Sequence, residues 1–148
     1  MASKDEEELQ KLSIEMRLLE QTAEALQSRM TMVNNAANDL LYAQATLQGL
    51  EKETEKSEIL VPIGGTSYIR AKLDNLDQVI VGMGAGVSVE KTREEAKEII
   101  KKRLEDLDKT RKSIQQQYTQ VAERINLDRE RAEALIAAAK ERKSQENV

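Results

Sequence analysis

The residues that usually carry chemistry are largely missing from this chain. It has no histidine and no cysteine. That removes the commonest general base and the commonest transition-metal ligand, and it excludes disulfide and thiolate chemistry. Catalysis would have to rest on carboxylates, lysines, hydroxyls or the three tyrosines. No spacing collects these into a pocket. The glycines Gly82, Gly84 and Gly86 resemble part of a dinucleotide fingerprint, but the spacing is G-x-G-x-G and another strand pattern follows, where the fingerprint needs a helix mouth. They read as a turn, and no phosphate-loop lysine follows them. No catalytic, cofactor-binding or metal-ligating set is therefore expected, and no enzyme activity. What remains is the chemistry of apolar surface, and the elements below decide where that surface lies.

Composition favours long helices over a compact globule. About a third of the 148 residues are charged and 2% are aromatic, with no phenylalanine or tryptophan. An ordinary core would hold more aromatic bulk. The abundance of Ala, Glu, Lys, Leu and Arg points to coiled coil. A net charge of −4 favours solubility and gives no support to nucleic-acid binding. No apolar run approaches the roughly 20 residues that span a bilayer, so no membrane association is expected. The opening residues MASKDEEELQ are acidic and lack the apolar core of a signal peptide, which makes the cytoplasm the simplest compartment.

The stretch Ser57–Lys91 holds every glycine but Gly49, and it holds the only proline, Pro62. Ile59, Val61 and Ile63 mark a first strand, which should end at Pro62 or lie at an edge. Gly64-Gly65 signals a hairpin turn. Ile69, Ala71 and Leu73 then alternate with Tyr68, Arg70 and Lys72, which predicts a half-buried strand. After Asp74–Asp77, Val79, Val81 and Met83 point inward against Gln78, Ile80 and Gly82. Ile80 on the outer face suggests a cover from another subunit. Gly84-Ala85-Gly86 turns the chain into Val87 and Val89. Two such hairpins are marginal alone in water and call for association with further sheets. These apolar strand residues are thus the expected oligomer-assembly residues.

Heptads flank this centre on both sides. Before it run Leu9, Met16, Ala23, Met30, Ala37 and Gln44, interleaved with Leu12, Leu19, Leu26, Val33, Leu40 and Leu47. After it run Ile100, Leu107, Ile114, Val121, Asp128 and Leu135, interleaved with Leu104, Arg111, Tyr118, Ile125, Ala132 and Ala139. The period near 3.5 predicts a left-handed coiled coil. Arg111 and Asp128 interrupt the second seam, a placement that fixes register or partner in coiled coils. Ser3 with Glu6 and Thr92 with Glu95 read as capping boxes. One domain over 1–148 is expected: a helix over about 4–54, two β-hairpins over about 57–91, and a helix over about 92–142 with a fraying tail from Lys140. The helices, of about 45 residues each, would pair antiparallel as an arm about 65–70 Å long. Leu9, Leu12, Ile14, Met16, Leu135 and Ile136 would supply apolar groups at its far tip.

The motifs Ile59-Leu-Val-Pro-Ile-Gly64, Ser67-Tyr-Ile-Arg-Ala-Lys72, Val79-Ile-Val-Gly-Met-Gly-Ala-Gly86 and Ser88-Val-Glu-Lys91 resemble prefoldin, specifically its archaeal alpha-type subunit. The resemblance covers nearly the whole chain, and two hairpins mark the alpha class over the beta class. It implies an ATP-independent chaperone without cofactors, a hexamer of two alpha with four beta subunits. The strands of these subunits close a double β-barrel platform. It also implies that non-native client proteins are held at the coiled-coil tips, here near Leu9 to Met16 and Ala132 to Ala139, and passed to a group II chaperonin. The competing reading is a self-assembling coiled-coil scaffold or adaptor with one specific protein partner, as a homo-oligomer or filament.

Overall fold

The computed structural model describes residues 3–53 and 55–147. In chain order it contains helix α1 (Lys4–Leu50), strands β1 (Glu58–Gly64), β2 (Ser67–Lys72), β3 (Gln78–Gly84) and β4 (Val87–Thr92), and helix α2 (Arg93–Glu146). The fold is the expected one: two long helices separated by two small antiparallel hairpins. The chain divides into two compact units. One is Met1–Asn34 with Lys109–Val148, and the other is Asn35–Asp108.

In the first unit, α1 starts on a complete capping box. The Glu6 amide donates to Ser3 Oγ at 3.2 Å, and the Ser3 amide donates to Glu6 Oε2 at 3.1 Å. Asp5, Glu6 and Glu7 complement the positive end of the helix. The seam lies where the heptads put it. Leu9, Leu12, Met16, Leu19, Ala23, Met30 and Val33 are half-buried and Leu26 is buried. On α2, Ile114, Asp128 and Leu135 are buried, Tyr118, Val121, Ile125 and Ala132 are half-buried, and Arg111 is exposed. Full burial of a Leu or Ile side chain contributes roughly 1.5–3 kcal/mol. Contrary to the expected fraying after Lys140, α2 continues to Glu146. Arg142 on this last stretch is paired with Asp5 of α1.

The second unit holds the main apolar core: Leu47 of α1, Val81 of β3, and Ala96 and Ile100 of α2, with Leu40, Ala43, Leu50, Val79, Ile99 and Leu104 packed around them. Helix α1 ends at Leu50, shorter than expected, and the predicted end at Thr54 lies outside the described residues. The end tightens through i→i+3 bonds from the amides of Glu51, Lys52 and Glu53 to the carbonyls of Gln48, Gly49 and Leu50. No apolar stripe continues beyond Leu50 to reward another turn. Helix α2 starts where the Thr92 hydroxyl accepts from the Glu95 amide at 3.1 Å and the Arg93 amide donates to the Asp77 carbonyl at 2.9 Å.

The hairpins share one plan. Each joins a seven-residue strand to a six-residue strand. Gly64 faces Ser67 across the first turn, and Gly84 faces Val87 across the second. The central residues are Gly65 and Thr66 (φ 56° and 60°) in one and Ala85 and Gly86 (φ 52° and 75°) in the other. Positive φ at both central positions is what type I′ hairpins require. The first turn therefore sits one residue later than the Gly64-Gly65 reading. Just before each turn the register slips, between Pro62 and Gly64 and between Gly82 and Gly84. Ile63 and Met83 are the extra residues.

Candidate interaction surfaces

Hairpin β3–β4 is anchored. Val81 is 8% exposed and sits in the helix-bound core, with half-buried Val79 beside it. The Arg103 guanidinium of α2 donates to the Gly82 carbonyl at 2.7 Å and ties down the end of β3. Val81, expected as an assembly residue, is thus occupied by its own chain. Met83, expected inward, is exposed, because the slip at the bulge takes it out of the alternation. On the other face Ile80 is 78% exposed, and on Val81's own face its cross-strand partner Val89 is exposed, as is Val87.

Among the described residues, hairpin β1–β2 has no comparable anchor. Ile59, Val61 and Ile69 are all exposed, with Ile59 opposite Ala71 and Val61 opposite Ile69. The opposite face carries Leu60, 63% exposed, and exposed Tyr68. Ile63 is exposed too, while Ala71 and Leu73 are half-buried. Of the inward face expected at β2, Ala71 and Leu73 are thus half-buried but Ile69 is not, and among the described residues no helix side chain joins these residues in a core. Leu60 was missed by sequence reasoning. The signal was present, because an apolar residue stood at the off-face position between Ile59 and Val61.

In the helical unit the seven residues expected at the tip fall into three groups. Ile14 and Ile136 are exposed, Leu9, Leu12, Met16 and Ala132 are half-buried, and Leu135 is buried. Leu18 and Leu127, not anticipated, are also exposed. They lie off the seam, where a heptad reading expects polar residues. Two ion pairs one heptad apart bind the helices to each other. Arg124 Nε lies 2.6 Å from Glu15 Oε1, and Arg131 holds both oxygens of Glu8, at 2.9 and 3.3 Å. Arg124 Nε also lies 3.3 Å from Asp128 Oδ1. Arg124 holds the Glu15 carboxyl below its usual range. Asp128 is raised, first by burial and then by the neighbouring Glu15. The repeats of 8 with 15 and 124 with 131 were the signal for these pairs.

Among the described residues no group of three or more acidic, histidine or cysteine side chains is placed to hold a metal ion. No helix among them is long and apolar enough to cross a membrane. The surfaces on offer are apolar and suited to binding protein.

Residues 19–138 match the family model described as "Prefoldin subunit". The chain belongs to the prefoldin family. A prefoldin subunit alpha from Methanococcoides burtonii is 31% identical over 125 residues, 84% of this chain and 91% of that one. The prefoldin subunit alpha of Pyrococcus horikoshii is 33% identical over 124 residues, 83% of this chain and 84% of that one. Among solved structures, filamentous PFD from Methanocaldococcus jannaschii superposes with a TM-score of 0.68 at 25% identity, covering 76% of this chain and 93% of that one. The alpha-type resemblance read from the hairpin motifs agrees with these relatives. As a prefoldin, the chain is a chaperone subunit that assembles with other prefoldin subunits.

Proposed function

We propose that this chain is the alpha-type subunit of an ATP-independent holding chaperone of the cytoplasm, in which two such chains combine with four beta-type prefoldin subunits. One observation carries this reading: hairpin β1–β2 exposes apolar side chains on both faces, Ile59, Val61 and Ile69 on one and Leu60 and Tyr68 on the other. A two-stranded sheet is marginal alone, and bare strand edges invite pairing with another chain. Closure of the strands of several subunits into barrels satisfies both needs. The apolar groups of the helical unit, with Ile14 and Ile136 exposed, then hold non-native clients weakly and several at once. Avidity through effective concentration does the rest before transfer to a group II chaperonin.

The test is native mass by light scattering, for the chain alone and mixed with a prefoldin beta subunit. A hexamer that forms only in the mixture supports the proposal. A chain indifferent to the beta subunit, running as a homo-oligomer or filament, moves the function to a self-assembling scaffold. Client holding is tested separately by removing residues 1–16 and all residues after Arg131. Aggregation suppression should be lost while the hexamer persists. Loss of the hexamer would contradict this division between strands and tip.

A further inference from the structure

Asp128 occupies a seam position of α2 where the heptad calls for an apolar residue. The residue is 3% exposed, and its Oδ2 is buried without a hydrogen-bond partner. A buried carboxylate oxygen with no donor is costly. Two groups face it. From its own helix, Arg124 reaches Oδ1 at 3.3 Å. From α1, Glu15 is brought beside it by the same guanidinium, whose Nε lies 2.6 Å from Glu15 Oε1. One guanidinium thus serves two carboxyls. The next charges along the seam, Glu8 and Arg131, satisfy each other. A single proton on Asp128 resolves the shortage. The protonated carboxyl becomes a donor to Glu15, and Glu15 and Arg124 then balance in charge.

We propose that Asp128 and Glu15 share one proton and latch the two helices together, and that the latch loosens when both carboxyls ionise. Burial and the Glu15 carboxylate raise the Asp128 pKa, so the closed form holds this proton more tightly than the open form does. That contribution is complete below the ordinary aspartate value of about 3.9 and is lost as pH rises through the raised value. Glu15 is shifted the other way by Arg124, so its contribution is lost as pH falls through its lowered value. The latch is tightest between the two, with Asp128 protonated and Glu15 ionised. Register-setting by a polar seam residue does not require this pH dependence.

Hydrogen exchange on the full-length chain, followed from pH 3.5 to 8 and corrected for intrinsic rates, tests the latch. Protection of the 121–135 amides should fall with rising pH, about tenfold for each pH unit by which Asp128 is raised. Asp128→Asn carries a donor at every pH and should abolish the dependence. Glu15→Gln should move the midpoint down toward the ordinary aspartate value, and it keeps the test open if Asp128→Asn fails to fold. Protection independent of pH in the unaltered chain would overturn the latch. So would an unchanged pH profile in either variant.

Discussion

Hairpins β1–β2 and β3–β4 have the same strand lengths, the same two-residue turn and the same bulge, yet their surroundings differ. In β3–β4, Val81 is locked among Leu47, Ala96 and Ile100. In β1–β2, no residue enters a core of the described chain, and Leu60, Tyr68 and Ile69 face solvent. Two strands of like pattern thus have different destinations. One hairpin is anchored by its own helices, and the other leaves apolar side chains exposed on both faces. The difference teaches that alternation specifies a strand and its faces but not which chain will cover them.

The largest effect that would break this contrast is at Val81. Val81→Asp buries an unpaired charge in the intramolecular core and should cost about 3–5 kcal/mol. Thermal or denaturant unfolding should show the loss in the chain itself, before any question of assembly. Ile69→Asp is the counterpart on the first hairpin. Chain stability should change by less than about 0.5 kcal/mol, as for an exposed site, while native mass drops. Equal destabilisation by both variants would erase the distinction. Gly86→Ala meets no steric obstacle, but its φ of 75° should cost about 1–2 kcal/mol. Circular dichroism melts of the second unit should register it. Arg103→Ala should cost about 1 kcal/mol by freeing the Gly82 carbonyl, measured as a lower denaturant midpoint. The smallest change carries the opposite sign. Gly49 is helical with open space around it, and Gly49→Ala should stabilise by somewhat under about 1 kcal/mol so close to the helix end, raising the melting temperature.

Much of this was legible in the sequence. The 3.5-residue period placed the seams, because helix geometry puts Leu12, Leu26 and Ile114 on the stripe that meets the other helix, where Leu12 is half-buried and Leu26 and Ile114 are buried. Ser3 and Thr92 placed the helix starts, because capping is local. The glycines placed both turns to within one residue. The misreadings involve non-local or marginal energetics. The inward direction of Met83 was lost to a bulge that no residue type announces. Ile69 follows the alternation of a half-buried strand yet is exposed, because alternation does not supply the surface that would cover it. The tail after Lys140 stays helical, with Arg142 paired to Asp5 far away in sequence. At Asp128 the seam position was visible, but the sharing of Arg124 with Glu15 appears only when the helices are placed side by side.

The central claim is that β1–β2 is the hairpin completed by neighbouring subunits. Hydrogen exchange of the β1–β2 and β3–β4 amides, compared between the dilute free chain and the chain mixed with beta subunit, tests it most directly. The account predicts that β1–β2 is weakly protected in the free chain and becomes strongly protected in the complex, with a much smaller gain at Val81 and its neighbours in β3. Strong protection of β1–β2 in the free chain, or none in the complex, would contradict it.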